Sequence, residues 1–267
     1  MVGAKEVGAV ERSTTLDTSP ALSTLLMHDT VAAVTASFCV SPLICIVDRS
    51  IMQNASGAMR LGDSMKAGLK ELLTKPVTFM RRPEFVMIWG LYAATYCTAN
   101  YISTGCEHRH QDVQWPKFIA TTAVNMTACI SKDRAFTRMF GTTKPKALPI
   151  ATYALFTVRD AATVAASFNM PAPASQWLQD AYDMQPSKAD FAAQMVCPAA
   201  VQFLSTPLHL LGLDLYNNPA STTSMRTKFI LGEYVKSVGA RIARIGPAFG
   251  IGGVGNRKVR DTLRTMA

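Results

Sequence analysis

Charged side chains gather where apolar segments stop, and chemistry is most readily done there. The first such place is Asp48-Arg49, which follows Pro42 and an apolar run to Val47. The second is Lys132-Asp133-Arg134, behind a run through Met126 and Ile130. The third is Asp214, behind Pro207 and a run to Leu213. Arg159-Asp160 break into a fourth apolar segment, where they can pair with each other or line a cavity. Charges close to hydrocarbon are costly unless paired, so these residues are candidates for an ion gate or a binding site. The plain alternative is that they mark helix ends at the level of lipid headgroups.

The elements that would position them are apolar. Six stretches lack Asp, Glu, Lys and Arg: 30–47, 85–106, 118–131, 147–158, 191–213 and 245–256. Three of them, 30–47, 85–106 and 191–213, are long enough as helices to cross roughly 30 Å of hydrocarbon. The other three reach that length only with flanking residues such as Lys117, Arg159 or Arg241. A soluble protein with long buried helices would give the same apolar signal. Charge placement separates the two readings. Residues 48–82, 132–146 and 214–244 carry net charges of +4, +4 and +3, whereas 1–29, 103–117 and 159–190 carry −2, 0 and −2. Sorting by alternate loop is what a bilayer imposes, because Lys and Arg resist crossing it. The expected fold is all-α, with six membrane-crossing helices as three hairpins and both termini on the less basic side.

Composition agrees with that class without deciding it. Only 17% of the 267 residues are charged, against about 25% in a typical soluble domain, yet mean hydropathy is a modest +0.14. A net charge of +9 invites a nucleic-acid reading. The basic residues lie between apolar segments rather than among aromatics, so membrane lipid is the expected partner and nucleic acid is not. None of the six cysteines forms a CxxC pair, and most lie in apolar segments, so free buried thiols are expected. His28, His108, His110 and His209 are scattered, although His108-Arg109-His110 could hold a metal weakly. No phosphate loop or nucleophile elbow occurs. Neither enzymatic activity nor a cofactor is expected. Residues 1–27 read as a polar tail, too acidic for a transit peptide.

Two basic stretches have helical amphipathicity: Met65, Leu69, Leu72 and Leu73 within 63–75, and Met225, Phe229, Ile230, Tyr234 and Val238 within 221–238. Both suit a membrane interface or an ordinary protein surface. The stretch 135–146 is too short for such a helix. Trp89, Tyr92 and Tyr96 share one helical face, expected to pack or to meet lipid. The glycines from Gly250 to Gly255 are expected to serve close helix packing.

Prolines recur at matching places. Pro42-Leu43 matches Pro207-Leu208, and Pro83, Pro149 and Pro247 each stand at the head of a second apolar segment. Gly239, Arg241, Arg244 and Pro247 form a G-x-R-x-x-R-x-x-P run. With Pro42, Arg49 and Gln53, this pattern resembles the mitochondrial carrier family. The resemblance implies three repeats, at 28–110, 111–185 and 186–267, in a six-helix bundle with threefold pseudo-symmetry. Pro42 and Pro207 would then kink the odd helices. The carrier contact positions fall on Met80, Lys146 and Arg244, with Arg81 and Arg241 adjacent; Arg159 joins them as a base inside a span.

The pattern also departs from the family. Gate acids are replaced by Ile44, Cys129 and His209, and of the gate bases only Lys132 remains. A substitute gate would use Asp48, Arg49, Lys132, Asp133, Arg134 and Asp214. The function implied is alternating-access transport of a small anionic metabolite or nucleotide across a mitochondrial membrane, the inner one favoured. A carrier-derived outer-membrane protein that no longer transports, acting in membrane dynamics, protein insertion or a complex, is the alternative. A soluble helical adaptor is a third reading.

Overall fold

Proline fixes where many of the helices begin. Pro76, Pro83, Pro171 and Pro186 each occupy the first turn of a helix, where a missing N–H costs nothing. The computed structural model describes residues 21–141 and 147–266, apart from the side chains of Phe168 and of residues 249–251. Among the described residues every regular element is helical. In chain order they are α1 (Leu22–Ala55), α2 (Leu61–Thr74), α3 (Pro76–Met80), α4 (Pro83–His108), α5 (Gln114–Phe140) and α6 (Ile150–Phe168). Then follow α7 (Pro171–Tyr182), α8 (Pro186–Asn217), α9 (Thr223–Ala243), a π-helical stretch (Gly246–Val254) and α10 (Gly255–Thr265).

The long helices pack around an interior space. α1 lies against α4, α4 against α5, α5 against α6, and α6 against α8, while the π stretch and α10 return to α1. α9 bridges α8 and the π stretch. α2 lies on α1 and α7 on α8. The largest apolar core cluster includes Val40, Ile44, Phe136, Phe156, Leu210 and Tyr216, toward the end of the bundle that carries α2 and α9. Hydroxyls on these helices mostly donate to their own preceding turn, as Ser41 does to the Ser37 carbonyl (2.6 Å) and Ser50 to that of Ile46 (2.7 Å). Such self-bonding lets a polar side chain sit in an apolar interior.

The amphipathic stretches are the helices α2 and α9. Gly68 of α2 meets α1 so closely that an added Cβ would stand 3.1 Å from Ile46. Several expected boundaries move. Asp48-Arg49 and Lys132-Asp133-Arg134 lie inside α1 and α5 rather than at their ends, Arg159-Asp160 fall within α6, and Asp214 stands in the last turn of α8. The charge-free runs therefore understate helix length, because charges paired across the bundle do not stop a helix. The sixth segment is a π stretch that passes into α10. α7 occupies a region that sequence alone presents as a loop. It has no counterpart between α4 and α5.

By length and composition, two described helices suffice to cross a membrane, α1 and α8. α4, whose charge-free run 85–106 is long enough, falls short in mean hydropathy, and α5 and α6 also fall short. Pro42 and Pro207 lie inside unbroken helices, as does Pro198. Pro207 cannot bond the Phe203 carbonyl one turn back. The hydroxyl of Tyr234 takes that carbonyl at 2.9 Å, joining α9 to α8.

Candidate functional site

A cavity of about 760 Å³ runs through the interior. At its floor, toward α2 and α9, buried charges from several helices form one connected network. Asp48 of α1 accepts from Lys132 of α5 at 2.7 Å and from Arg244, just past α9, at 2.5 Å. Lys132 also pairs with Asp133 at 2.8 Å. Asp133 pairs with Arg159 of α6 at 2.6 Å. Arg159 in turn holds Asp160 Oδ1 through Nε (3.0 Å) and Nη2 (2.6 Å), and donates to His209 Nδ1 of α8 at 2.6 Å. That last bond requires Nδ1 to accept, so His209 is neutral with its proton on Nε2. Phe136 and Phe156 present ring faces to Lys132 and Arg159. The chain of pairs ties α1, α5, α6, α8 and the end of α9 across the bundle.

Arg241 stands apart from this pairing. It is only 3% exposed and lines the cavity. Its side chain meets neutral groups, Gln202 Oε1 at 2.9 Å and Ser205 Oγ at 3.4 Å. No carboxylate of the described residues lies within ion-pair distance of it. The floor thus holds four cations (Lys132, Arg159, Arg241, Arg244) and three acids (Asp48, Asp133, Asp160), and the surplus charge rests on Arg241.

Above the floor the lining is uncharged, with hydrogen-bonding side chains set among apolar ones such as Leu91, Val164 and Met195. α5 contributes Thr121 and Asn125, one turn apart, and α6 contributes Thr163 and Ser167. Tyr92 and Tyr96 of α4 line it too, and Tyr96 donates to the Ala248 carbonyl of the π stretch at 3.0 Å. Gly252 faces that phenol so closely that a side chain there would collide with it. Charge returns at the far rim with Lys117, Asp190, Arg257 and Arg260. Beside that rim, Asp29 of α1 is fully buried and pairs with Arg260 (2.7 Å) and Arg264 (3.3 Å) of α10. The Thr104 hydroxyl of α4 donates to the same carboxylate. Asn100 and Asn256 exchange two hydrogen bonds of 2.9 Å alongside.

The residues singled out from sequence divide accordingly. Asp48, Lys132, Asp133, Arg159 and Arg244 meet in the floor network, and Arg241 lies beside it. Arg49 is turned away, paired with Glu71 (3.4 Å) and Glu84 (3.6 Å) between α1, α2 and α4. Asp214 pairs with Arg226 at 2.5 Å and ties α8 to the start of α9. Arg134 and Arg81 are exposed, each without an ion pair to a described residue. Those four therefore do not reach the cavity. Lys146 lies outside the described residues. Asp160, which the sequence already offers with Arg159 as a cavity-lining pair, lies in the floor, whereas Gln202 and the Asp29 cluster escape sequence reasoning as site residues. Gln202 is uncharged, and Asp29 reads as part of a polar end. Among the described residues no group of three His, Cys, Asp or Glu side chains could hold a metal ion.

A charged floor, an uncharged shaft of mixed apolar and hydrogen-bonding side chains and a charged rim make a compartment suited to a small solute with both polar and apolar parts. Residues 32–264 match the family described as Probable citrulline exporter. The match covers most of the chain, and the chain belongs to that family. No curated protein and no solved structure matches. Membership corrects the resemblance to mitochondrial carriers. Prolines heading apolar segments and bases sorted to one face can arise in any bundle of paired membrane helices, so their order alone did not discriminate. The family concerns a transporter of a small solute in a membrane, and that part of the functional expectation stands. The mitochondrial placement rests on the carrier resemblance alone.

Proposed function

We propose that this chain exports a small amino acid with an uncharged polar side chain, citrulline being the candidate its family description supplies. Six segments, α1, α4, α5, α6, α8 and the π stretch with α10, cross the membrane around the cavity, and both termini lie on one side. The floor network holds the α2–α9 face closed while the opposite rim admits solute. Breaking the floor and closing the rim gives the alternate state.

Arg241 is the observation that carries this reading. A buried guanidinium without an acid is costly, and a bidentate carboxylate from a bound solute would satisfy it. Arg244 adds positive potential from beside Asp48. The side chain of the solute then lies along Asn125 and Thr121, which offer hydrogen bonds and no charge. A ureido group suits such a shaft, whereas an ammonium or guanidinium tail would find no acid there.

The test is citrulline exchange in proteoliposomes. Wild-type protein is expected to exchange it, and Arg241→Gln to lose at least about tenfold, the worth of one charge-assisted hydrogen bond. Because Arg241 has no acid partner, this variant leaves no carboxylate orphaned and is expected to keep its fold. Failure of the wild type to move citrulline, or full activity in Arg241→Gln, would overturn the reading.

A further inference from the structure

We infer that Asp160 is the amino-group selector of the transport site, taking the ammonium of a solute whose carboxylate rests on Arg241. This inference rests on the carboxylate reading just given and adds a second pole to it. Of the three acids on the floor, two are fully committed. Asp48 uses Oδ1 for Arg244 and Oδ2 for Lys132. Neither oxygen of Asp133 makes a well-aligned hydrogen bond, but each has a cation beside it, Lys132 at Oδ1 (2.8 Å) and Arg159 at Oδ2 (2.6 Å). Asp160 is different. Both of its bonds from Arg159 fall on Oδ1, and among the described residues Oδ2 has neither a hydrogen bond nor an ion pair. The residue is 7% exposed and lines the cavity, as Arg241 does.

A second acceptor stands beside it. Thr163, three residues on along α6, lines the same cavity on the same helical face. Its hydroxyl proton is spent on the Arg159 carbonyl at 2.9 Å, so its oxygen is left to accept. A primary ammonium carries three donors and no acceptor, which matches one carboxylate oxygen and one hydroxyl oxygen. A plain carboxylic acid would leave Asp160 Oδ2 buried and unpaired, and a hydroxy acid would offer it one neutral donor in place of a charged one. The floor therefore discriminates for an amino acid against the corresponding acid without its amino group.

The experiment compares citrulline with ureidopentanoate, which has the same carboxylate and ureido tail but no amino group. In proteoliposomes, wild-type protein is expected to prefer citrulline by at least about tenfold. Asp160→Asn keeps an oxygen for Arg159 and is expected to abolish the preference, by slowing citrulline while leaving ureidopentanoate near its wild-type rate. Equal loss of both compounds in Asp160→Asn would show that the residue acts only by holding Arg159, and would overturn the assignment. Should that variant not fold, competition in the wild type decides: equal inhibition of exchange by the two compounds overturns it. Wild-type protein that moves ureidopentanoate in preference to citrulline sinks the assignment and leaves the carboxylate reading standing. Protein that moves neither sinks both.

Discussion

At the scale of single residues, Asp48 is the keystone of the closed floor. It is 5% exposed and accepts from Lys132 and Arg244, which reach it from different helices. Removing one partner of a buried pair strands the other charge, at a cost of about 3–5 kcal/mol. Asp48→Asn is therefore expected to lower the midpoint of thermal unfolding in detergent. Adding Lys132→Met to it should cost less than the two single losses together, by about 0.5–3 kcal/mol, because the residues share one interaction. Additive losses would mean that the pair is not energetically coupled. Much of this network was legible in the sequence. Asp48, Lys132, Asp133 and Arg159 interrupt or end apolar runs, and a charge in that setting needs a partner. The neutral members were not legible. Gln202, Ser205 and Thr163 carry no charge to mark them, and their value comes from lying opposite Arg241 or beside Asp160.

At the scale of elements, close approach decides how the helices seat. Gly212 of α8 faces Phe156 of α6, and a Cβ there would stand 2.7 Å from the ring. The Gly212 carbonyl also accepts from Thr152 of α6 at 3.1 Å, which fixes the same register. Gly212→Ala must push α6 away or turn the ring on which His209 rests (5.4 Å between centroids), so it is expected to destabilise by about 1–3 kcal/mol. Gly90 of α4 has nothing within 4 Å of an added Cβ. Gly90→Ala should gain up to about 1 kcal/mol from helix propensity alone. Thermal unfolding of the two variants checks the opposite signs. The amphipathic stretches that became α2 and α9 could be read from periodicity. α7 could not, because its prolines and its single charge, Asp180, read as part of a loop. The π stretch could not either: the glycine run predicts close packing but not the wider turn.

For the whole molecule, charge is distributed in layers. Bases crowd the end that carries α2 and α9, acids and bases pair in the floor, and a mixed set of Lys117, Asp190, Arg257 and Arg260 rings the other mouth. The alternate-loop sorting in the sequence anticipates this polarity of the molecule, and an all-helical chain follows from its apolar runs. Family membership did not follow. The spacing of prolines and bases suggests a carrier, whereas the chain groups with exporters instead. What the sequence supports is the physics of a helical bundle in a membrane; which lineage built it lies in residues too dispersed to form a motif.

The central claim is that the cavity is the solute path, open at the rim beside α7 and α10 and shut at the floor. Cys129 reports on it directly, since its side chain lines the cavity next to the floor. Protein retaining Cys129 as its only cysteine is to be reconstituted and exposed to a membrane-impermeant maleimide from one side at a time. Labelling from the α7–α10 side alone, slowed by citrulline, is the predicted result. Labelling from the α2–α9 side alone, or labelling that saturating citrulline leaves unchanged, would contradict it.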